Sequence, residues 1–563
     1  MNIIPPDKPD KPGKKNKTVN ISSYLCETAK MQPNKKAVVF PVSKNKTGRT
    51  VYSHITFIQL EKESDRIALG LEKLGITRGT RTVLMVKPGP NFFALIFALF
   101  KIGAIPVVVD PGMGISRMIR CFKSSRPKAF IGIPIAHVVR ILYPKFFRTV
   151  KIWVTVGRRW FWGGPTLKRI CKAPWKPYLR AKTRHDDIAA ILFTTGSTGP
   201  AKGVIYTHGI FNAQVRHIKS HFKISANEID LPTFPLFALF DPALGMTAVI
   251  PDMDPTKPGF VDPEKIIEPI TRHGVTNMFA SPALLNRVGN YCKQKKIRLP
   301  SIKRVISAGA PVSPANIKQF ASILSKNAEI HTPYGATEAM PLISIKSSEI
   351  LGETGKFTDK GYGICLGLPI DGIQVRIIKI SDAPVKEWSD SIILPDGEVG
   401  EIVAKGDIVT RQYFEDSKSD ALAKIKQGDC IWHRMGDLGW LDNKKRIWFC
   451  GRKSHRVRTK NGDLFTIPFE SIFNNHPAVF RSALVGVGPL QSQKPVICIE
   501  LKHGSHGKNK KKMKNELLEL AKQNVLTENI DTILFCKSFP VDIRHNAKIF
   551  REELAAWAKK KVR

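Results

Sequence analysis

Between residues 194 and 204 the chain reads T-T-G-S-T-G-P-A-K-G-V. Thr194, Thr195, Ser197 and Thr198 place four hydroxyls within five positions. Gly196 and Gly199 allow a tight turn that leaves backbone N–H groups open to a ligand. Lys202 adds a point charge. Amides, hydroxyls and one cation on a short turn are the donors that wrap a polyphosphate. The pattern is not a Walker A loop, which needs Gly-Lys-Ser/Thr; here Ala201 precedes the lysine and Gly203 follows it. The bland alternative is a flexible Ser/Thr/Gly linker. The regular flanks argue against it. An apolar run, 188–193, delivers the chain to Thr194, and Phe211, Val215, Ile218 and Phe222 recur afterwards at helical spacing. The expected frame is strand, loop, helix.

That loop needs a scaffold, and the sequence supplies one. Short apolar segments at 83–86, 129–133, 152–156 and 189–193 alternate with amphipathic stretches. Alternation of this kind predicts a parallel sheet with crossover helices. Segments 373–380, 401–403 and 446–450 read as strands joined by turns, which suggests a mixed or barrel-like subdomain. A break is expected near 451–454. Beyond it lie about 110 residues with strands at 482–487 and 496–501 and a helix from about 510 to 524. The basic run 508–514 starts as a solvated loop and presents no more than a charged face. No internal repeat is visible.

The 563 residues allow two to four domains. Apolar content of 42% and charged content of 24% are ordinary for a globular chain. The net charge of +42 is not ordinary. It is consistent with a generally basic lineage or with attraction to anionic membranes or substrates. Nucleic acid ranks last, because the basic residues are spread along the chain and no nucleic-acid module is recognisable. None of the nine cysteines forms a C-x-x-C pair, which argues against a disulfide framework or zinc site and suits a cytoplasmic location. The first 20 residues are rich in proline and lysine, lack the apolar stretch of a signal peptide, and read as a disordered basic arm. The longest apolar stretch, 92–109, is interrupted by Lys101, Gly103 and Pro106. It predicts a buried helix (92–100) and a buried strand (105–109) rather than a membrane span, which needs about 20 mostly apolar residues.

Further polar motifs follow in order: S-A-G-A-P (307–311), T-P-Y-G-A-T-E (332–338), R-M-G-D-L-G (434–439), G-R-K-S-H-R (451–456) and R-H-N-A-K-I-F-R (544–551). Taken singly, Glu338 is a surface carboxylate, Asp437 a turn residue, Arg452 a surface arginine and Lys548 one lysine among many. Taken together with the 194–203 loop, they resemble the signature of the adenylate-forming (AMP-binding, acyl-CoA synthetase-like) superfamily over about residues 20–560. A narrower resemblance is carried by P-L-F-A-L-F-D-P-A-L-G (235–245), P-D-M-D-P-T-K-P-G (251–259), V-D-P-G-M-G (109–114) and the terminal motif. These are similar to the olefin β-lactone synthetases of long-chain hydrocarbon biosynthesis.

The resemblance implies an α/β fold. A large N-terminal domain (21–451) of αβαβα layers plus a β-barrel-like subdomain would precede a small, mobile α+β domain (452–563) carrying the catalytic lysine. ATP and Mg²⁺ are the implied cofactors. Residues Thr194 to Lys202 would hold the β- and γ-phosphates, with Gly309, Ala310 and Pro311 beside the adenine. Tyr334, Gly335 and Ala336 belong to the nucleotide-binding motif. Thr337 would contact the α-phosphate and Glu338 would hold Mg²⁺. Asp437 would accept the ribose hydroxyls with help from Arg452. Lys548 would bridge the substrate carboxylate and the α-phosphate. Phe234, Phe237, Ala238 and Phe240, with Leu239 and Leu244, would line an acyl channel or simply belong to the core. Ser454 stands at the hinge.

Three departures separate the chain from CoA-dependent members. Ala238 stands where many have histidine, Ser454 replaces the hinge aspartate, and Ala547 replaces the glycine before the catalytic lysine. They weaken the case for thioester formation and leave adenylation intact. The expected substrate is a long-chain 2-alkyl-3-hydroxy fatty acid, which is adenylated and then closes on its own 3-hydroxyl; His545 is a candidate base. The alternatives are a long-chain fatty acid–CoA ligase and an inactive membrane-binding scaffold. Intact Lys202, Glu338, Asp437 and Lys548 argue against the scaffold. The resemblance also implies assembly with other hydrocarbon-pathway enzymes, and the charge suits peripheral contact with membranes.

Overall fold

The computed structural model describes residues 18–193, 200–502, 504, 509–541 and 548–562. Two large sheets build the N-terminal region. The first has six strands in the order Ile152–Thr155, Ala129–Gly132, Arg81–Met85, Ile105–Val109, Ile188–Phe193 and Gly203–Thr207. All neighbours are parallel except the last pair. The four strands expected within 83–193, and the strand at 105–109, all fall here.

The second sheet has fourteen strands. Its parallel part holds Glu329–Ala336, Arg304–Ser307, Asn277–Ala280, Ile229–Pro232, Thr247–Val249 and Lys36–Lys44 side by side. The chain then turns antiparallel through Ala339–Lys346, Ile364–Pro369, Ile447–Arg452, Cys430–Leu441, Gly400–Lys405 and Gln374–Ile378. The turn-linked segments at 373–380, 401–403 and 446–450 fall on strands of this antiparallel part.

Helix Pro90–Ile102 packs between the sheets. Proline starts it and Gly103, at φ +75°, ends it. Every residue from Phe92 to Ile102 is buried, in one core cluster with Leu84 and Ile131 of the first sheet and Ala248 and Ile306 of the second. Lys101, which breaks the apolar run in sequence, is fully buried here. Its ammonium lies 2.9 Å from Glu61 and 2.6 Å from Asp65, one turn apart on helix Phe57–Lys73. Among the described residues, no helix is long and apolar enough to cross a membrane. All nine cysteines are free.

Strand Ile447–Arg452 leads into a single 3-10 turn, Lys453–His455. A smaller three-stranded sheet follows, with Val479–Val487, Lys494–Leu501 and Ile533–Cys536, covered by helices Thr466–Asn474, Lys510–Lys522 and Arg551–Lys559. It sits against the larger part through Asn475 and Asn524, which donate to the carbonyls of Asp359 and Lys360.

Candidate active site

Residues 194–199, the core of the expected phosphate loop, lie outside the described residues. Their flanks correct the expected frame. Gly203–Thr207 is a strand antiparallel to Ile188–Phe193, with Phe193 opposite Gly203. A second strand therefore stands between Lys202 and the helix, and helix His208–His221 begins only after it, with the Thr207 hydroxyl accepting from the Ile210 N–H at 3.2 Å. The reason is local: V-I-Y-T is β-branched and aromatic, and it pairs on its other side with Tyr413. The Phe414 N–H donates to the Gly203 carbonyl at 2.7 Å.

A β-hairpin carries the next expected residues. Ala336 faces Ala339 across strands Glu329–Ala336 and Ala339–Lys346, so Thr337 and Glu338 form its tip. A side chain at Gly335 would place its Cβ 2.6 Å from the Ala339 carbonyl, which is why glycine stands there. Three contacts fix the tip. The Tyr206 hydroxyl donates to the Thr337 carbonyl at 2.5 Å. The Thr410 N–H donates to the Glu338 carbonyl at 2.8 Å. The Tyr413 hydroxyl donates to Glu338 Oε1 at 2.8 Å. Two cations border the same tyrosine: Lys202 Nζ is 5.0 Å and Lys424 Nζ 5.4 Å from its ring centroid.

Lys424 is buried and donates to the Thr410 carbonyl and hydroxyl at 2.5 and 3.1 Å. Burial pushes its ammonium down to about 8, against the pull of Glu338 and Asp420. Burial and the neighbouring Glu338 raise the Tyr413 hydroxyl, so it stays a proton donor. Among the described residues, no three acidic, histidine or cysteine side chains gather as a metal cage. Glu338, with Asp420 on the same tyrosine, is a carboxylate donor of the kind that would hold Mg²⁺ together with substrate phosphates.

Asp437 lies opposite Arg452 in the pairing of Cys430–Leu441 with Ile447–Arg452. Arg452 Nη1 is 3.1 Å from Asp437 Oδ1 and donates to the Met435 carbonyl at 3.1 Å. The Tyr334 hydroxyl donates to Asp437 Oδ2 at 2.6 Å. Burial raises the Asp437 carboxyl above its usual range, opposed by Arg452 and Tyr334. Tyr334 shares its strand with Ala336, so one strand connects Asp437 to the Thr337–Glu338 tip.

The sheet explains why these groups meet. Arg304–Ser307, Ile229–Pro232, Asn277–Ala280 and Glu329–Ala336 are parallel, so their carboxyl ends open on one edge, where α/β sheets bind ligands. Gly309 (φ +97°), Ala310 and Pro311 leave that edge after Ser307. Phe234 leaves it after Pro232. Phe237 stacks on Phe279 at 3.9 Å between centroids and 18° between planes, and Phe234 lies 5.6 Å from Phe237. Phe211 links the two regions, 4.9 Å from Tyr206 and 6.5 Å from Phe240. Phe234, Phe237, Leu239 and Phe240 are partly buried on the main core, whereas Ala238 and Leu244 are enclosed within it.

Ser454 is exposed on the 3-10 turn. On one side of it, Lys453 pairs with buried Glu401 at 2.9 Å; on the other, Arg456 pairs with Asp382 at 2.8 Å and Asp463 at 2.7 Å. His545 and Ala547 lie outside the described residues. Lys548 precedes Ile549, which bridges to Val541, and helix Arg551–Lys559, which Arg551 anchors on buried Glu470 at 2.5 and 2.9 Å. That helix begins beside the 3-10 turn, with His455 Nε2 3.7 Å from Glu552. Sequence reasoning missed Tyr206, Gln214, Tyr413 and Lys424. Gln214 donates to the Met340 carbonyl at 2.9 Å. None of the four sits in a motif; only Tyr206, four positions after Lys202, is near one.

Two sheets packed on one buried helix, with a tyrosine-held acidic tip beside the carboxyl edge of the second, are the arrangement of an adenylate-forming enzyme. Residues 25–414 match the family model described as AMP-binding enzyme. The chain belongs to that family, and within it groups with proteins named olefin beta-lactone synthetase. One, from Xanthomonas campestris pv. campestris, is 44% identical over 96% of this chain and 97% of its own length. Another, from Stenotrophomonas maltophilia, is 44% identical over 96% of this chain and 98% of its own. A long-chain-fatty-acid–CoA ligase of Mycobacterium tuberculosis is 24% identical over 83% of this chain and 86% of its own. Among solved structures, the amide bond synthetase McbA of Marinactinospora thermotolerans superposes with a TM-score of 0.76 at 20% identity, over 95% of this chain and 99% of that one. That likeness concerns the fold.

Proposed function

We propose that this enzyme adenylates a long-chain 2-alkyl-3-hydroxy fatty acid and closes the product to a β-lactone. The observation that carries this reading is the 44% identity, across nearly the full length, to two β-lactone synthetases, against 24% to the CoA ligase. In the first step the carboxylate attacks the α-phosphorus of ATP and pyrophosphate leaves. In the second the 3-hydroxyl oxygen attacks the acyl carbon, AMP leaves, the hydroxyl proton passes to a base, and a four-membered ring forms. The nucleophile is tethered, which in well-oriented cases is worth an effective molarity on the order of 10⁵ M.

The first step brings anions together and needs cations and donors. Thr194, Thr195, Ser197, Thr198 and Lys202 hold the β- and γ-phosphates. Gly309, Ala310 and Pro311 flank the adenine. Asp437, set by Arg452 and Tyr334, accepts the ribose hydroxyls. Thr337 contacts the α-phosphate. Glu338, oriented by Tyr413, would hold Mg²⁺, which would supply neutralisation of phosphate charge. Lys548 neutralises the transition state when the small domain turns about Ser454. Phe234, Phe237 and Phe240 border the alkyl chains, with Ala238 behind them. The departures at Ala238, Ser454 and Ala547 support a cycle without a thioester half-reaction. Neighbouring enzymes of the hydrocarbon pathway supply the acid and consume the lactone.

The test mixes enzyme, ATP, Mg²⁺ and a 2-alkyl-3-hydroxy acid, with and without CoA. Lactone and AMP formed without CoA support the reading. A thioester formed only with CoA overturns it in favour of a long-chain fatty acid–CoA ligase. Undiminished AMP formation by Lys548→Ala removes that lysine from the mechanism.

A further inference from the structure

Basic residues are spread along the chain, but acidic residues are not. Between Asp110 and Asp186 lie 75 residues without one carboxylate side chain and with 18 lysines and arginines. That segment forms one end of the first sheet, where Ile152–Thr155 is the edge strand. On that edge the loop 157–166 displays R-R-W-F-W (158–162).

The loop is held firmly. The ring of Trp162 is buried, stacks on His137 at 5.2 Å and 16°, and donates to the Thr155 hydroxyl at 2.9 Å. The Trp153 ring N–H and Arg159 donate to the carbonyls of Gly163 and Gly164 at 2.8 and 2.7 Å. With those anchors in place, Trp160 and Phe161 remain 51% and 78% exposed. Both rings pack against Trp162, at 5.5 and 5.3 Å, so they stand beside helix Pro134–Leu142, which carries His137. That helix exposes Ile135 at 60% and Leu142 at 67%, one heptad apart and so on one face. Lys145, Arg148, Lys151, Arg158 and Lys168 of the same segment are all exposed.

Single exposed apolar residues are ordinary. A rigid Trp-Phe tip and an apolar helix face, on a segment rich in exposed cations and without an acidic residue of its own, are a combination with a specific complement. Tryptophan favours the membrane–water interface, apolar side chains enter the acyl boundary, and lysine and arginine are drawn to anionic headgroups. We propose that this edge docks the enzyme on an anionic lipid bilayer, with Trp160, Phe161, Ile135 and Leu142 inserted and the segment's exposed cations on the headgroups. The proposal does not depend on the reaction assigned above.

The full-length protein is tested by flotation with vesicles of phosphatidylcholine alone or mixed with phosphatidylglycerol, without substrate. Binding to the mixed vesicles only, reversed by high salt, is expected. Both W160S/F161S and K145E/R148E/R158E should lower the bound fraction roughly tenfold or more, with ATP–pyrophosphate exchange and melting temperature unchanged. No binding of the wild-type protein to mixed vesicles, or equal binding by wild type and both variants, overturns the proposal. Loss on charge reversal with full binding by W160S/F161S also overturns it, because the cations alone would then hold the protein on the headgroups without insertion of the Trp-Phe tip.

Discussion

Tyr413→Phe isolates the contact that orients Glu338. The phenylalanine ring keeps its place near Lys202 and Lys424, and the backbone N–H of residue 413 still donates to Asp420 at 2.7 Å. Only the hydroxyl, 2.8 Å from Glu338 Oε1, is removed. A hydrogen bond to a charged group is worth about 1.5–3 kcal/mol, which corresponds to a loss of roughly 10- to 150-fold. The tip itself stays pinned by Tyr206 at Thr337 and by Thr410 at Glu338, so the loss should fall on the carboxylate. ATP–pyrophosphate exchange, titrated with Mg²⁺, should show kcat/KM lowered by that factor and a higher Mg²⁺ requirement, with the melting temperature almost unchanged. The double variant Tyr413→Phe/Glu338→Gln should be no worse than Glu338→Gln alone, since both changes act on one interaction. Exchange within twofold of wild type at every Mg²⁺ concentration would refute the orienting role.

Lys424→Met should lower kcat/KM for ATP roughly tenfold at neutral pH. In the wild type that parameter should fall as pH rises through about 8, where Lys424 loses its proton, and a pH–rate series should show this fall absent from the variant. Glu401→Ala should cost about 3–5 kcal/mol in denaturant unfolding. It strands Arg434 and Lys453, which lie 2.6 and 2.9 Å from a carboxylate 1% exposed; a cost below about 1 kcal/mol contradicts that account. Burial pushes His208 down to about 4. The unfolded chain takes up its proton below about 6.5 while the folded chain refuses it, so stability held above that pH is lost as pH falls toward 4. His208→Gln should remove up to about 1.4 kcal/mol per pH unit from the slope of melting free energy across that window; an unchanged slope contradicts it.

Much of this architecture is legible in the sequence. Apolar runs near 83, 129, 152 and 189 fall on strands of the first sheet, and 105–109 matches its strand to the residue. The motif residues Lys202, Tyr334, Thr337, Glu338, Asp437 and Arg452 lie in one linked network. The strand Gly203–Thr207 was hidden because five residues followed directly by a helix carry no periodicity of their own, and only pairing with Ile188–Phe193 decides their form. Tyr206 and Tyr413 were hidden for another reason. Their partners lie 131 and 75 positions away, and no spacing rule reaches that far. Lys101 looked like an interruption and is a buried cation, because two carboxylates on a neighbouring helix neutralise it. The charge, summed over the chain, concealed a segment from which acidic residues are missing.

The contacts around Ser454 are unequal, and that inequality sets where the proposed turning of the small domain would bend. Upstream, Lys453 is bolted to a carboxylate sealed from solvent, so the segment reaching back to Arg452 and Asp437 stays still. Downstream, Arg456 and Arg458 share Asp382, which is 51% exposed, a latch that water can replace at about 0–1 kcal/mol per pair. On the proposed roles of Asp437, Arg452 and Lys548, a swing that begins after residue 453 would move Lys548 without disturbing the Asp437–Arg452 pair.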